Sequence, residues 1–161
     1  TAIEMMEHYH QEYGLKTLDG EVCWKKHIQV EVPKNGVFQE EIKEEFRKQN
    51  AYLYVKGSLN GRTISTVYSY NMWKDCQFES DYDYQVAREG ENLVVAIKAN
   101  KFAKGITLRL PENEKYEFSD NYFDLDAGAE KKVVIRGQQE VDATNLIVTD
   151  FAKETMCSKL I

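Results

Sequence analysis

His8 and His10 stand two residues apart, so on a strand they project from one face, a spacing that suits a metal ion when a carboxylate is close by. No third ligand accompanies them, and the reading is no metal and no cofactor. Acidic side chains are plentiful, and cleaving a glycosidic bond takes two carboxylates flanking it. Asp120, Asp124 and Asp126, however, sit beside turn-forming residues, where Asp accepts backbone N–H groups. His27, Ser65 and Asp75 are the residue types of a nucleophilic triad, yet nothing in their local sequence supports its geometry. Nucleophile elbow, P-loop and dinucleotide fingerprint are all missing, so no catalytic residue is expected. Sugar rings stack on aromatic faces, which makes Trp24, Trp73 and Tyr82 the candidate carbohydrate contacts, with Tyr68, Tyr70 and Tyr84 behind them. The competing use of such aromatics is to fill a core or an interdomain seam, and Trp73 suits a seam.

These side chains need strands to hold them, and the chain is organised around the stretch from Phe118 to Gly128. Tyr116 and Phe118 alternate with polar neighbours, the mark of a strand with one face in a core. Ser119, Asp120 and Asn121 then interrupt the pattern with residues that bond their own backbone, which predicts a kink before the apolar cluster Tyr122, Phe123 and Leu125. Gly128 closes a turn into a second strand at 131–136.

The run Ser119-Asp120-Asn121-Tyr122-Phe123-Asp124-Leu125, with Gly128 after it, resembles the signature of the C-terminal immunoglobulin-like domain of β-mannosidases of glycoside hydrolase family two. Ala127 stands where that family has Pro, while Phe102-Ala103-Lys104-Gly105-Ile106 and Lys132-Val133-Val134-Ile135 fit its flanks. The resemblance implies a domain rather than a reaction. In the resembled enzymes the two catalytic glutamates sit on a separate (β/α)₈ barrel upstream, and no segment here alternates strand and helix as a barrel requires. It further implies a parent acting on terminal β-mannosides, with its address left open among periplasm, secretion and lysosome and its barrel as this chain's partner; the rival reading is a free-standing carbohydrate- or protein-binding β-sandwich module.

Composition agrees with an all-β chain: of 161 residues, ten are Tyr, seven Phe and two Trp, against two Pro. The net charge of −6 argues against nucleic acid and anionic membrane as partners, and no apolar run is long enough to span a bilayer. Cys23, Cys76 and Cys157 are odd in number and match no zinc spacing, which favours thiols while leaving one disulfide open. The chain opens with Thr1 rather than Met, and the simplest account is an excised fragment.

Along the chain, Asp19-Gly20 between apolar segments predicts a hairpin of strands 8–18 and 21–32. After Asn35-Gly36, Phe38, Ile42 and Phe46 fall four apart with Glu44 facing Lys48, which predicts a helix over 38–49. Strands at 50–58 and 64–70 follow, joined at Asn60-Gly61. These first strands look like the later part of the penultimate domain of the same β-mannosidases, a partial sandwich expected to self-associate through its open edges. A boundary is expected in the aromatic-rich break 71–81, giving units 1–77 and 78–161. The second unit reads as an immunoglobulin-like β-sandwich with strands at 83–87, 93–99, 106–110, 116–125, 132–136 and 146–151, and a frayed or docked tail over 153–161.

Overall fold

A computed structural model describes residues 6–33, 36–59, 62–77, 79–111, 115–137 and 141–158. In it the Asp19-Gly20 turn joins β1 (Met6–Thr17) to β2 (Val22–Pro33), which pair antiparallel. Gly20 has φ 93, a left-handed value that Gly adopts without a Cβ penalty, and its N–H donates to the Thr17 carbonyl at 2.9 Å. β3 (Ala51–Leu59) pairs with the other edge of β1 and with β4 (Arg62–Tyr68), giving one four-stranded antiparallel sheet in the order β2-β1-β3-β4. The expected Asn60-Gly61 turn lies outside the described residues, as does Asn35.

The expected helix over 38–49 is not formed, and the segment runs irregularly. Its polar groups are spent on the sheet instead. The Tyr13 hydroxyl donates to Glu40 at 2.7 Å, Trp24 Nε1 donates to the Glu45 carbonyl at 2.9 Å, and Lys26 pairs with Glu44. A helix would give the Glu45 carbonyl to the N–H four residues on, so the Trp24 bond and the helix compete for one acceptor. Phe46 meets Tyr70 edge-on at 5.9 Å, and Asn71 Nδ2 donates to the Lys48 carbonyl at 2.9 Å. Tertiary partners override a weak local preference. The bond to Glu40 and burial push the Tyr13 phenol up to about 12.

By its contacts the chain divides into two compact units, Thr1–Gln77 and Phe78–Ile161. In the second, β5 (Tyr82–Glu89), β6 (Asn92–Ala99), β10 (Glu130–Gly137) and β8 (Tyr116–Phe118) form one sheet in that order. β11 (Ile147–Thr149), β7 (Ala103–Arg109) and β9 (Phe123–Leu125) form another. All neighbours pair antiparallel. The core draws on both sheets: Leu93, Val95 and Ile97 of β6, Ile106 and Leu108 of β7, Phe123 and Leu125 of β9, and Val133 and Ile135 of β10. Burial of these branched side chains is the main force closing the sandwich.

Two expectations for this unit need correction. The strand expected over 116–125 is two strands, β8 and β9, which belong to different sheets. The tail also folds, since α1 (Phe151–Ser158) begins where a strand was expected to end. Buried Asp150 caps it: its carboxylate accepts from Lys153 N at 2.9 Å, and its carbonyl accepts from Glu154 N at 3.0 Å. Arg109 of β7 pairs with Glu154 at 2.6 Å and ties the helix to the sheet. Among the described residues no helix is long and apolar enough to cross a membrane.

Candidate functional site

The stretch 119–128 is the corner where the chain leaves one sheet for the other, and Ser119, Asp120, Asn121 and Asp124 each have a defined task there. Ser119 continues the β8 ladder: its N–H donates to the Val134 carbonyl at 2.8 Å and its hydroxyl accepts from Val134 N at 2.9 Å. Asp120 accepts from Asn121 N at 2.8 Å and pairs with Lys131. Asn121 then crosses to β7. Its Oδ1 accepts from Leu108 N at 2.9 Å and its Nδ2 donates to the Leu108 carbonyl at 2.9 Å, so one primary amide replaces a residue of a paired strand. The same oxygen accepts from Tyr122 N at 3.0 Å.

Tyr122 is left-handed at φ 59 and 72% exposed. Its ring lies against Gly105, itself at φ 61, so closely that a Cβ on that glycine would stand 3.3 Å from the ring. Phe123 and Leu125 turn inward to the core, with the Lys131 ammonium 4.4 Å above the Phe123 ring. Asp124 accepts from Gly105 N at 3.0 Å through one oxygen and from Lys104 Nζ at 2.7 Å through the other. Gly128, at φ 80, closes the turn that starts at Asp126, and its N–H donates to the Ala99 carbonyl at 2.8 Å. Asp120 and Asp124 thus hold chain groups in place, as the turn chemistry of Asp predicts.

The three aromatics expected to contact sugar do not all belong to one unit. Trp24, on β2, is half-buried; besides its bond to Glu45 it meets Tyr13 edge-on at 6.1 Å. Trp73 opens a short 3₁₀ helix (Trp73–Asp75) and is half-buried too. Tyr82 belongs to the other unit, and the Lys153 ammonium lies 4.1 Å from its ring centroid and 2.9 Å from its hydroxyl.

His27 is on β2 and Ser65 on β4, the opposite edges of one sheet, so the sheet separates the residues of the imagined triad. His27 is engaged otherwise, 3.2 Å from Glu12, which also accepts from the Tyr54 hydroxyl at 2.9 Å. Burial would raise the Glu12 carboxyl, but the Tyr54 bond and the nearby Lys25, His27 and Lys56 hold it below the usual range. His10 lies beside Gln29 at 3.5 Å. The His8 side chain falls outside the described residues. Among the described residues no three His, Cys, Asp or Glu side chains converge as metal ligands.

A family of Ig-fold domains from mannosidases (Ig_mannosidase) matches residues 79–152. That stretch contains both sheets of the second unit and the whole corner. Residues 79–152 form an Ig-fold domain similar to that of mannosidases. Among solved structures, a β-D-mannosidase from Dictyoglomus thermophilum is similar in fold, with a TM-score of 0.74 at 18% identity. The likeness takes in 91% of this chain and 19% of that one, so the chain spans about a fifth of its solved relative. No curated protein sequence matches.

In this Ig-fold domain the resemblance seen in the sequence lies on the sheet-switching corner. The corner's partners went unseen from sequence: Leu108, which Asn121 bonds, Lys131, which Asp120 bonds, and Gly105, on which Tyr122 rests. They lie 10 to 20 residues away along the chain. One signal did exist, since Gly105 inside a β-branched strand marks a bulge or a close approach. β7 indeed shifts register between Ala103 and Ile106 against β9.

Proposed function

We propose that the chain is a C-terminal, non-catalytic portion of a β-mannosidase-like glycoside hydrolase, and that it braces the parent's catalytic barrel. The match of residues 79–152 to a mannosidase Ig-fold family carries this reading. The corner fits it chemically, because Asp120 and Asp124 are committed to Lys131, Lys104 and backbone N–H groups rather than poised across a glycosidic bond. In this reading the parent's reaction, retaining hydrolysis of terminal β-mannosides, belongs to the barrel.

Reading the frame upstream of Thr1 in the source DNA tests the proposal. A (β/α)₈ pattern with two candidate glutamates is the expected result, and a frame without one overturns it. In the full-length enzyme, deleting residues 79–152 is then expected to shorten the thermal half-life while leaving kcat unchanged in the surviving fraction; an unaltered half-life counts against the brace.

The first unit is proposed to be the later strands of a penultimate sandwich. Its sheet has β2 and β4 as edges, and Tyr68, Tyr70 and Met72 are exposed at or just beyond β4. Open edges flanked by aromatics favour pairing between copies. Light scattering on a size-exclusion column is expected to show dimers that grow in with concentration. A strict monomer at the highest attainable concentration rejects this.

A further inference from the structure

We infer that Tyr122 is the platform of a weak pyranoside-binding site on the second unit. The inference deepens the mannosidase reading and rests on it for the class of sugar. At 72%, Tyr122 is more exposed than Phe38, Tyr68, Tyr70 or Tyr84. Its ring lies against Gly105, where a Cβ would crowd it at 3.3 Å. The 72% exposure of Tyr122 leaves most of the side chain in water, and an exposed aromatic face is the element on which the C–H face of a sugar stacks.

Hydroxyl-binding groups surround the same glycine. Its N–H is held by Asp124 at 3.0 Å, its carbonyl accepts from the Thr107 hydroxyl at 3.1 Å, and Lys104 lies 2.7 Å from Asp124. Lys104 and Asp124 each keep about a fifth of their side-chain surface in water, 21% and 23%. A carboxylate, an ammonium and a hydroxyl thus gather about the glycine that the Tyr122 ring lies against. That set accepts from and donates to adjacent sugar hydroxyls. Trp24 and Tyr82 lack this arrangement, because Trp24 is tied to Tyr13 and Glu45, and Lys153 sits over the Tyr82 ring. Tyr122, read from sequence as part of the structural motif alone, is the better-formed platform.

The test is an amide NMR titration of the whole chain with methyl β-D-mannopyranoside at millimolar concentrations, with glycerol as the control polyol. Fast-exchange shifts are expected at Gly105, Thr107, Tyr122 and Asp124, and not with glycerol. Tyr122→Phe keeps the platform and should keep the shifts. Tyr122→Gly removes the ring and relaxes the left-handed backbone, so it stays folded, while the fitted affinity should fall about tenfold or more, the scale of one lost stacking contact. No shifts with the mannoside overturns the site, as do equal shifts with glycerol or shifts that persist in folded Tyr122→Gly. The upstream reading frame is an independent result, so a failed titration leaves the mannosidase assignment standing and a missing barrel leaves the titration interpretable.

Discussion

Asn121→Ala is expected to destabilise the second unit by about 2 to 4 kcal/mol, because it strands two main-chain groups of a buried residue at once. Leu108 has no exposed surface, and the Asn121 amide takes both its N–H and its carbonyl at 2.9 Å. Alanine reaches neither, and each unpaired buried group costs about 1 to 3 kcal/mol. The Tyr122 N–H loses its acceptor as well, but Tyr122 is exposed and water replaces that bond. Asp120→Ala is the internal comparison. It breaks only the partly exposed pair with Lys131 and a local bond to Asn121 N, so it should cost about 1 kcal/mol or less. Thermal melts of the two variants should therefore separate by on the order of 10 °C for a unit of this size. Equal melting points for both would show that the amide is not a strand surrogate and that the corner is held by the core alone.

The contrast between these neighbours shows what could be read in advance. Ser119, Asp120 and Asn121 announced an interruption of the strand through their type, and the structure has one there. That the interruption carries the chain from one sheet to the other did not follow, because the decisive bonds run from Asn121 to Leu108 and from Ser119 to Val134. Local pattern carries no information about a partner that far along the chain. The segment 38–49 failed for the same reason in reverse: its spacing of Phe38, Ile42 and Phe46 is helical, but Tyr13, Trp24 and Lys26 claim the groups a helix would need. The hairpin at Asp19-Gly20 was legible because everything that determines it lies within four residues. The tail helix was legible too and was missed, since Asp150 before Phe151-Ala152-Lys153-Glu154 is an N-cap followed by residues compatible with a helix. Of the binding candidates, tryptophan drew attention by type alone. Tyr122 could not be singled out without knowing that Gly105 lies beneath it.

The largest loss in the first unit is expected from a substitution that sequence gives no reason to fear, Gly14→Ala. Gly14 is buried on β1, opposite Lys25 of β2 and Tyr54 of β3. A Cβ there would collide with the Trp24 carbonyl oxygen and come within 2.9 Å of Lys25 Cα. Both are main-chain atoms, so no side-chain rotation relieves the clash. β1 has a partner on each side and cannot retreat from β2 without straining its ladder to β3. The close approach stands beside a register shift between Leu15 and Lys16, the kind of irregularity at which a strand glycine lets two backbones meet. Overpacking that forces backbone to move costs about 1 to 3 kcal/mol, and the upper end is expected here because both clashing atoms are main chain; that is a large share of a small unit's stability. Gly57→Ala on β3 is the control, because its Cβ would meet nothing nearer than the His10 carbonyl at 3.8 Å, and a slight gain or no change is expected. The chain's two tryptophans, Trp24 and Trp73, both lie in the first unit, so indole fluorescence during urea unfolding follows that unit. Gly14→Ala should shift this transition far toward low urea or abolish it. A Gly14→Ala transition coincident with that of Gly57→Ala would mean that β2 can move away from β1 at little cost, and that the register shift is soft rather than fixed.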